Sequence, residues 1–320
     1  MKPDVSIVIP NFNGADLLVR NLPSVLLAAE TYQQNTQVIV VDDGSRDPSL
    51  QVLEQQFPQV SVIVHPQNKG FAEAVHTGIS AAQSELIFLL NSDVQPDPRC
   101  LQSLVDYFKA PDTFAVSPLI KNEHGKINRH SWNIRRFRCG QLKPIEWNIE
   151  QAIVARQAGR LPTIYASGGS VLLRKSMFMA LGGFHALFRP FYGEDYDLGL
   201  RAWRRGWRSY FEPNTSVPHQ HQGSIKDHIK RAYVKQVRRR NKLLLEWMHL
   251  PCWRLWTGVI PLSIWQLLGE LVLLDKVNVM GFWTALFKIP DVLRERRILA
   301  QTQKLSLAQI LEQVSGKPHS

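Results

Sequence analysis

Residues 5–14 read VSIVIPNFNG and residues 38–47 read VIVVDDGSRD. Each is a continuous apolar, largely β-branched run that stops abruptly in residues suited to turns and polar contacts. A strand that stays apolar at every position is buried on both faces, the situation of a parallel sheet covered by helices. Similar runs return at 60–64, 86–90 and 114–116, and amphipathic helical patterns fill 15–29, 48–56, 71–82 and 97–108 between them. Strand, helix, strand in strict alternation predicts an α/β domain with a Rossmann-like, mostly parallel central sheet and right-handed crossovers.

In such a sheet, ligands bind beyond the carboxyl ends of the strands. The residues placed there are unusually polar: Pro10-Asn11 after the first run, Asp42-Asp43-Gly44-Ser45 after the second, His65 to Gly70 with Lys69 after the third, and Asn91-Ser92-Asp93 after the fourth. Further along, 164–173 restores a strand-like run. Glu194, Asp195 and Asp197 then open a helix to 205, and a last short strand is expected at 208–211, before His219 and His221. Residues 121–160 lose periodicity and gain arginines, and are read as an irregular basic insertion beside the site.

These side chains suggest particular chemistry. Asp93 places a carboxylate where a hard divalent cation can bridge it to a diphosphate. In isolation, Asn-Ser-Asp reads equally well as a strand-to-helix turn. Asp43 can accept from the ring N–H of a uracil or thymine, and Lys69 with Gly70 before a helix N-terminus suits a diphosphate. Three acids in four residues exceed what capping and an Asp197–Arg201 pair require. A carboxylate among them suits a general base acting on an acceptor hydroxyl. His219 and His221 each admit the roles of ligand, base or solvated loop residue.

The chain has 320 residues, 44% of them hydrophobic, which excludes global disorder. Its formal charge is +11, and the surplus is concentrated. Residues 226–242 hold eight Lys/Arg against one Asp, and residues 247–283 hold five of the nine Trp. A basic helix followed by Trp-rich apolar helices predicts contact with a bilayer interface; the alternative is a helical cap on the domain. The run 255–269 is uncharged but holds Pro261 and Gln266 and stops at Glu270, which suits the membrane surface better than a span. Three scattered cysteines, Cys100, Cys139 and Cys252, argue against a disulfide framework and for a reducing compartment. No export signal is expected from 1–10.

Taken in order, VSIVIPNFNG, VIVVDDGSRD, NKGFAEAVHTGI, LIFLLNSDV, ASGGSVLLRK, GEDYDLGLRAWRRGW and VPHQHQGS resemble the inverting, nucleotide-sugar-dependent glycosyltransferases of family 2, which have the GT-A fold. The resemblance covers about residues 4–224. It implies that Asp43 contacts the base, that Pro10 and Asn11 wall the nucleotide, and that Lys69 lies near its diphosphate. Asp93 matches the last acid of the DXD motif, with His219 as a second ligand to Mg²⁺ or Mn²⁺. Asp195 is similar to the catalytic base, with Glu194 supporting it. The motif here is Asn91-Ser92-Asp93, so Asn91 or Ser92 takes a ribose or water contact. The Gln-x-x-Arg-Trp motif of processive synthases is absent, which points away from polymerisation.

The resulting expectation is a domain at 1–225 moving a sugar from a UDP- or dTDP-sugar to a hydroxyl of a lipid-linked or lipopolysaccharide-type glycan. Residues 226–320 would associate peripherally with the cytoplasmic face of the cell membrane, in rhamnosyltransferase-like assembly of the bacterial envelope. A sugar nucleotidyltransferase would want a cation in the loop 10–14, which has none. A nucleic-acid binder would interleave aromatics with its cations, and 226–242 offers only Tyr233. A non-catalytic membrane-binding protein is the remaining rival.

Overall fold

The computed structural model describes residues 2–138, 141–219 and 230–315. The apolar runs become β1 (Val5–Asn11), β2 (Thr36–Asp42), β3 (Ser61–Val64), β4 (Leu86–Leu90) and β5 (Thr113–Lys121). They are connected by α1 (Ala15–Thr31), α2 (Ser49–Gln56), α3 (Phe71–Ala81) and α4 (Cys100–Val105). Further on come β8 (Leu161–Pro162), β9 (Ser170–Arg174), α6 (Lys175–Ala180), α7 (Glu194–Arg204) and β10 (Arg208–Pro218). The eight-stranded sheet has the order β3-β2-β1-β4-β9-β5-β10-β8. Only β9 and β8 run against the rest. The chain winds outward from β1 to β3 and returns to β4 on the other side of β1, so the strand order reverses between β1 and β4, where a ligand crevice is expected.

Alternation along the strands explains their unbroken apolarity. Ile7, Ile9, Val38, Val40, Phe88 and Leu90 join one buried cluster with α1 and α4. Val8, Ile39, Val41, Ile87 and Leu89 join another with α3 and α6. The expectation of burial on both faces fails at β3, the sheet edge, where Val62 is 39% exposed and Val64 51%.

Three other segments depart from the sequence reading. The described part of the insertion holds regular structure: β6 (Arg135–Arg138) pairs with β7 (Gln141–Pro144), α5 (Ile149–Ala158) follows, and Trp132 and Trp147 pack on Phe211. The run 164–173 is a strand only from Ser170. The short strand expected at 208–211 continues to Pro218 through a register shift between Glu212 and Ser216. Glu212 is tolerated there, 2% exposed, because Tyr107 Oη donates to it at 2.9 Å and Arg156 Nε at 2.8 Å.

Beyond residue 230 lie α8 (Arg231–His249), α9 (Cys252–Val272), α10 (Lys276–Leu286), α11 (Ile289–Thr302) and α12 (Leu307–Ser315). Leu243, Leu244 and Met248 of α8, Val292 of α11 and Ile310 of α12 share one core with Tyr165, Phe188, Tyr196 and Trp203. α9 differs, being 21 residues long, with a mean hydropathy of 1.3 in its most apolar stretch and little of that stretch buried. By length and composition it can cross a membrane.

Candidate active site

Parallel register sets the first half of the site. Asn11 pairs with Asp42 and Asp42 with Val64, so three strand ends emerge side by side. Asn11 Nδ2 donates to Asp42 Oδ2 at 3.1 Å, and Asp42 also accepts from the Ser45 N–H at 2.9 Å. Asp42 is therefore the turn-forming member of the acidic pair. Asp43, 3% exposed, accepts from the N–H groups of Lys69 at 2.9 Å and Gly70 at 2.8 Å, and lies 2.7 Å from His65 Nδ1. Its carboxylate thus closes the 65–70 loop over the end of β2. Gly44 (φ +74°) permits that closure, since a Cβ there would lie 2.7 Å from the Gln67 carbonyl carbon. The Lys69 side chain remains exposed just before α3.

The second half forms around β4. Leu90 pairs with Ser170, and the Asn91 N–H donates to Gly169 O at 2.9 Å. Asn21 Nδ2 holds Ser92 O at 2.8 Å. The extended β10 brings His219 to this point: its N–H donates to Lys121 O at 2.7 Å, and its Nε2 lies 3.0 Å from Asp93 Oδ2. His219 Nε2 lies equally close to Asp93 Oδ1, at 3.0 Å, and the buried Asn91 Oδ1 beside them accepts no hydrogen bond. Among the described residues no group of three or more His, Cys, Asp or Glu forms a metal cage. A carboxylate and an imidazole nevertheless fit Mn²⁺ or Mg²⁺, which commonly take one or two protein ligands and complete their shell with water and phosphate oxygens.

The third contribution is the start of α7. Asp195 accepts from the Tyr196 N–H at 2.8 Å and from the Gly168 N–H. A Cβ on Gly168 would lie 3.6 Å from Asp195 Cβ, and one on Gly169 would lie 2.9 Å from Asn91 Nδ2. One glycine pair therefore separates Asp195 from the Asn91–Asp93 motif. Gly14 makes the matching link on the other side, its Cβ position 2.3 Å from Asn11 Oδ1 and 3.6 Å from Ser92 Oγ. Pro10, Asn11, Asn91, Ser92, Asp93, His219 and Asp195 thus converge on one edge, with Asp43 and Lys69 on its flank.

Electrostatics distinguish the three acids of α7. Burial, then Asp195 and Asp197, push the Glu194 carboxyl up to about 8, and its Oε2 has no partner. Burial also raises Asp195, opposed by N–H groups including those of Tyr196 and Gly168 and by Arg135. Asp197 is fully buried and structural, lying 2.7 Å from Arg201 Nε and 2.9 Å from His249 Nε2. Burial alone would raise its pKa, but Arg201 and His249 hold it below the usual carboxylate range.

Sequence reasoning placed His65 at a strand end and Arg135 in the basic insertion without giving either a role, and passed over Asn241 and His249. Arg135 stacks on the Tyr196 ring, 4.5 Å from its centroid, and Tyr196 stacks on Tyr165 at 4.9 Å. The alternating Arg135-Arg136-Phe137-Arg138 pattern of a hairpin strand was the available signal. Asn241 Nδ2 reaches the carbonyls of Phe188 at 2.7 Å, Phe191 at 2.9 Å and Tyr192 at 2.8 Å, so α8 anchors the loop before Glu194. His221 and Cys139 lie outside the described residues, as do 226–229 of the basic run.

Comparison with known proteins adds an independent line. The model of glycosyl transferase family 2 matches residues 6–182. A pre-mycofactocin glycosyltransferase of Mycobacterium tuberculosis is 31% identical over 71% of this chain and 45% of its own length. The chain thus spans about half of that relative. An N-acetylglucosaminyl-diphospho-decaprenol L-rhamnosyltransferase of the same organism is 25% identical over 83% of this chain and 90% of its own length. Among solved structures, a mannosyltransferase from Pyrobaculum calidifontis in complex with GDP-Man and Mn²⁺ superposes with a TM-score of 0.53 at 15% identity. It covers 99% of this chain and 80% of its own.

Proposed function

The chain belongs to glycosyl transferase family 2, and from that premise we propose that it is an inverting GT-A glycosyltransferase. In this reading it moves a sugar from a UDP- or dTDP-sugar to a hydroxyl of a lipid-linked or cell-surface glycan. The observation that carries the reading is the convergence of Asp195 and the Asn91–Asp93 motif on either side of Gly168–Gly169, with His219 against Asp93. An inverting displacement needs a base on the face of the sugar opposite the leaving group, and the proposal gives that role to Asp195.

Asp195 takes the proton of the acceptor hydroxyl as that oxygen attacks the anomeric carbon, and the bond to the nucleoside diphosphate breaks in the same step. Glu194, one residue before it, tunes its basicity. Pro10 and Asn11 wall the nucleotide. Asp43 fixes the 65–70 loop and keeps lone-pair capacity for a pyrimidine N–H, a carboxylate offering about four acceptor positions. Lys69 faces the diphosphate, and Asn91 and Ser92 meet the ribose or its water. Asp93 and His219 would hold the cation. When bound there, Mg²⁺ or Mn²⁺ supplies Lewis-acid neutralisation of the charge on the departing diphosphate.

The lipid-linked acceptor is supported by the name of the rhamnosyltransferase relative and by the exposed apolar surface of α9. We assign transfer to residues 1–225 and membrane contact to 226–320, with the protein peripheral on the cytoplasmic face. The test is a thermal-shift panel of UDP-, dTDP- and GDP-sugars with and without Mn²⁺, followed by release of free nucleoside diphosphate in the presence of lipid acceptor. Stabilisation by a sugar nucleotide with metal-dependent release is expected. Absence of any nucleotide-dependent shift would remove the assignment.

A further inference from the structure

A second concavity lies away from the strand ends. It is a cleft of about 540 Å³ between α8, α9 and α10, lined by Lys235, Arg238, Arg239, Lys242, Glu270 and Leu273 among others. The acids around it do not balance the four cations. Lys235 pairs with Asp275 at 2.6 Å, Arg239 with Glu270 at 3.3 Å, and Lys242 reaches Glu246 only at 4.0 Å. Arg238 has no carboxylate partner among the described residues and lies over the Tyr192 ring at 4.2 Å. With Lys143 also close to Lys242, cations outnumber carboxylates around the cleft. Arg239 Nε is buried without an acceptor. Burial lowers the Lys242 pKa, and nearby Lys143 and Arg239 work in the same direction against Glu246. Cations crowded in this way are relieved by an anion.

The rim of the cleft identifies the setting of that anion. Leu273, which lines it, is 80% exposed, and Val272 and Leu274 beside it are equally bare. From there the open side of α9 carries Trp256 (71% exposed) and Trp265 (74% exposed), while α10 adds Trp283 and Met280. The opposite side of α9 is held down, with Gln266 accepting from Arg239 Nη1 at 3.0 Å and Glu270 paired to the same guanidinium. A helix with one side bound to protein and the other apolar and indole-rich lies in an interface plane.

We propose that the cleft seats the phosphodiester headgroup of an anionic phospholipid, with the apolar face of α9 and the 272–274 turn in the acyl boundary beneath it. The surplus of positive charge suits a phosphodiester, and the contiguity of cleft and apolar rim matches a headgroup attached to its chains. The inference rests on the membrane reading above and deepens it, naming the lipid class and the residues that select it.

The full chain is tested by co-sedimentation with vesicles of phosphatidylcholine alone and of phosphatidylcholine mixed with phosphatidylglycerol, without sugar nucleotide. Wild type is expected to favour the anionic vesicles, with a blue shift of tryptophan emission on binding. The double variant Arg238→Gln, Lys242→Gln should lose about thirty-fold in affinity for them. The pair Lys109→Gln, Lys126→Gln, which removes the same charge elsewhere on the surface, should leave it unchanged. Equal losses in the two pairs would reduce the effect to diffuse charge and overturn the site. Equal binding of wild type to both vesicles would overturn it while leaving membrane contact intact, and binding to neither would remove both. The nucleotide-sugar thermal shift reports on the transferase reading separately.

Discussion

Glu194 and Asp195 share a half-buried corner in which two negative charges are poorly tolerated, so the pair holds a proton to unusually high pH. Because burial raises the folded-state pKa of Glu194 to about 8, the doubly ionised form dominates only above that value. Turnover that requires ionised Asp195, whose carboxyl is also raised by burial, should rise with pH. Glu194→Gln removes the group that titrates at about 8, so a component near that pH should vanish from the pH–rate profile while the limb belonging to Asp195 remains. Asp195→Asn should cut turnover by about 10²–10⁴-fold with the donor's thermal shift preserved; retention of normal turnover would exclude the base role. Asp93→Asn and His219→Ala should weaken the Mn²⁺-dependent part of that shift more than the nucleotide-dependent part. These acids were legible in the sequence because polar residues interrupt apolar runs there. Arg135 was not, since its approach to Asp195 depends on how a hairpin in the insertion folds back.

At the scale of elements, β1, β2 and β4 were readable because central strands are apolar throughout. β3 carried the same residue types, but its place at the sheet edge depends on strand order, which no local pattern encodes. The polar stretch 212–216 hid the second half of β10 because Glu212 is compensated by Tyr107 and Arg156, distant in the chain. α8 is the element whose role was least visible. Its Asn241 ties down the carbonyls before Glu194, and Asn241→Ala should destabilise the fold by about 1–3 kcal/mol, the cost of leaving a buried polar group unpaired, as measured by urea denaturation. His249, at the C-terminal end of α8, has its pKa lowered by burial from 6.5 to about 4. A folded-state value below the unfolded one means that the unfolded chain binds more protons between pH 6.5 and 4. Stability should thus be fully present above pH 6.5 and fall as the solution is acidified through that window. His249→Gln should be less stable at neutral pH yet flatter across it in thermal melts.

For the whole molecule, the core that joins Trp203, Tyr196 and Phe188 to Leu243, Leu244 and Ile310 makes the C-terminal helices part of the folding unit. A chain ending at residue 225 should therefore lack a cooperative melting transition, because it exposes one wall of that core. The composition shift near residue 226 indicated a change of surface, from strand-and-loop to basic helix, whereas hydrophobic packing continues across it. Among the described residues of this region, the barest apolar side chains lie on α9, the 272–274 turn and Phe287 after α10, with Ile289, Leu293 and Ile298 of α11 adding less.

The exposed strand β3 has a consequence for self-association. Its outer side leaves backbone N–H and C=O groups open to pairing with another chain, the usual route to sheet-to-sheet fibres. Here that edge is four residues long and is bracketed by Pro58 and Pro66, which lack the N–H a longer ladder would need. An incoming strand would find too short a template to extend, so the brevity of β3 and its flanking prolines keep the sheet finite on that side.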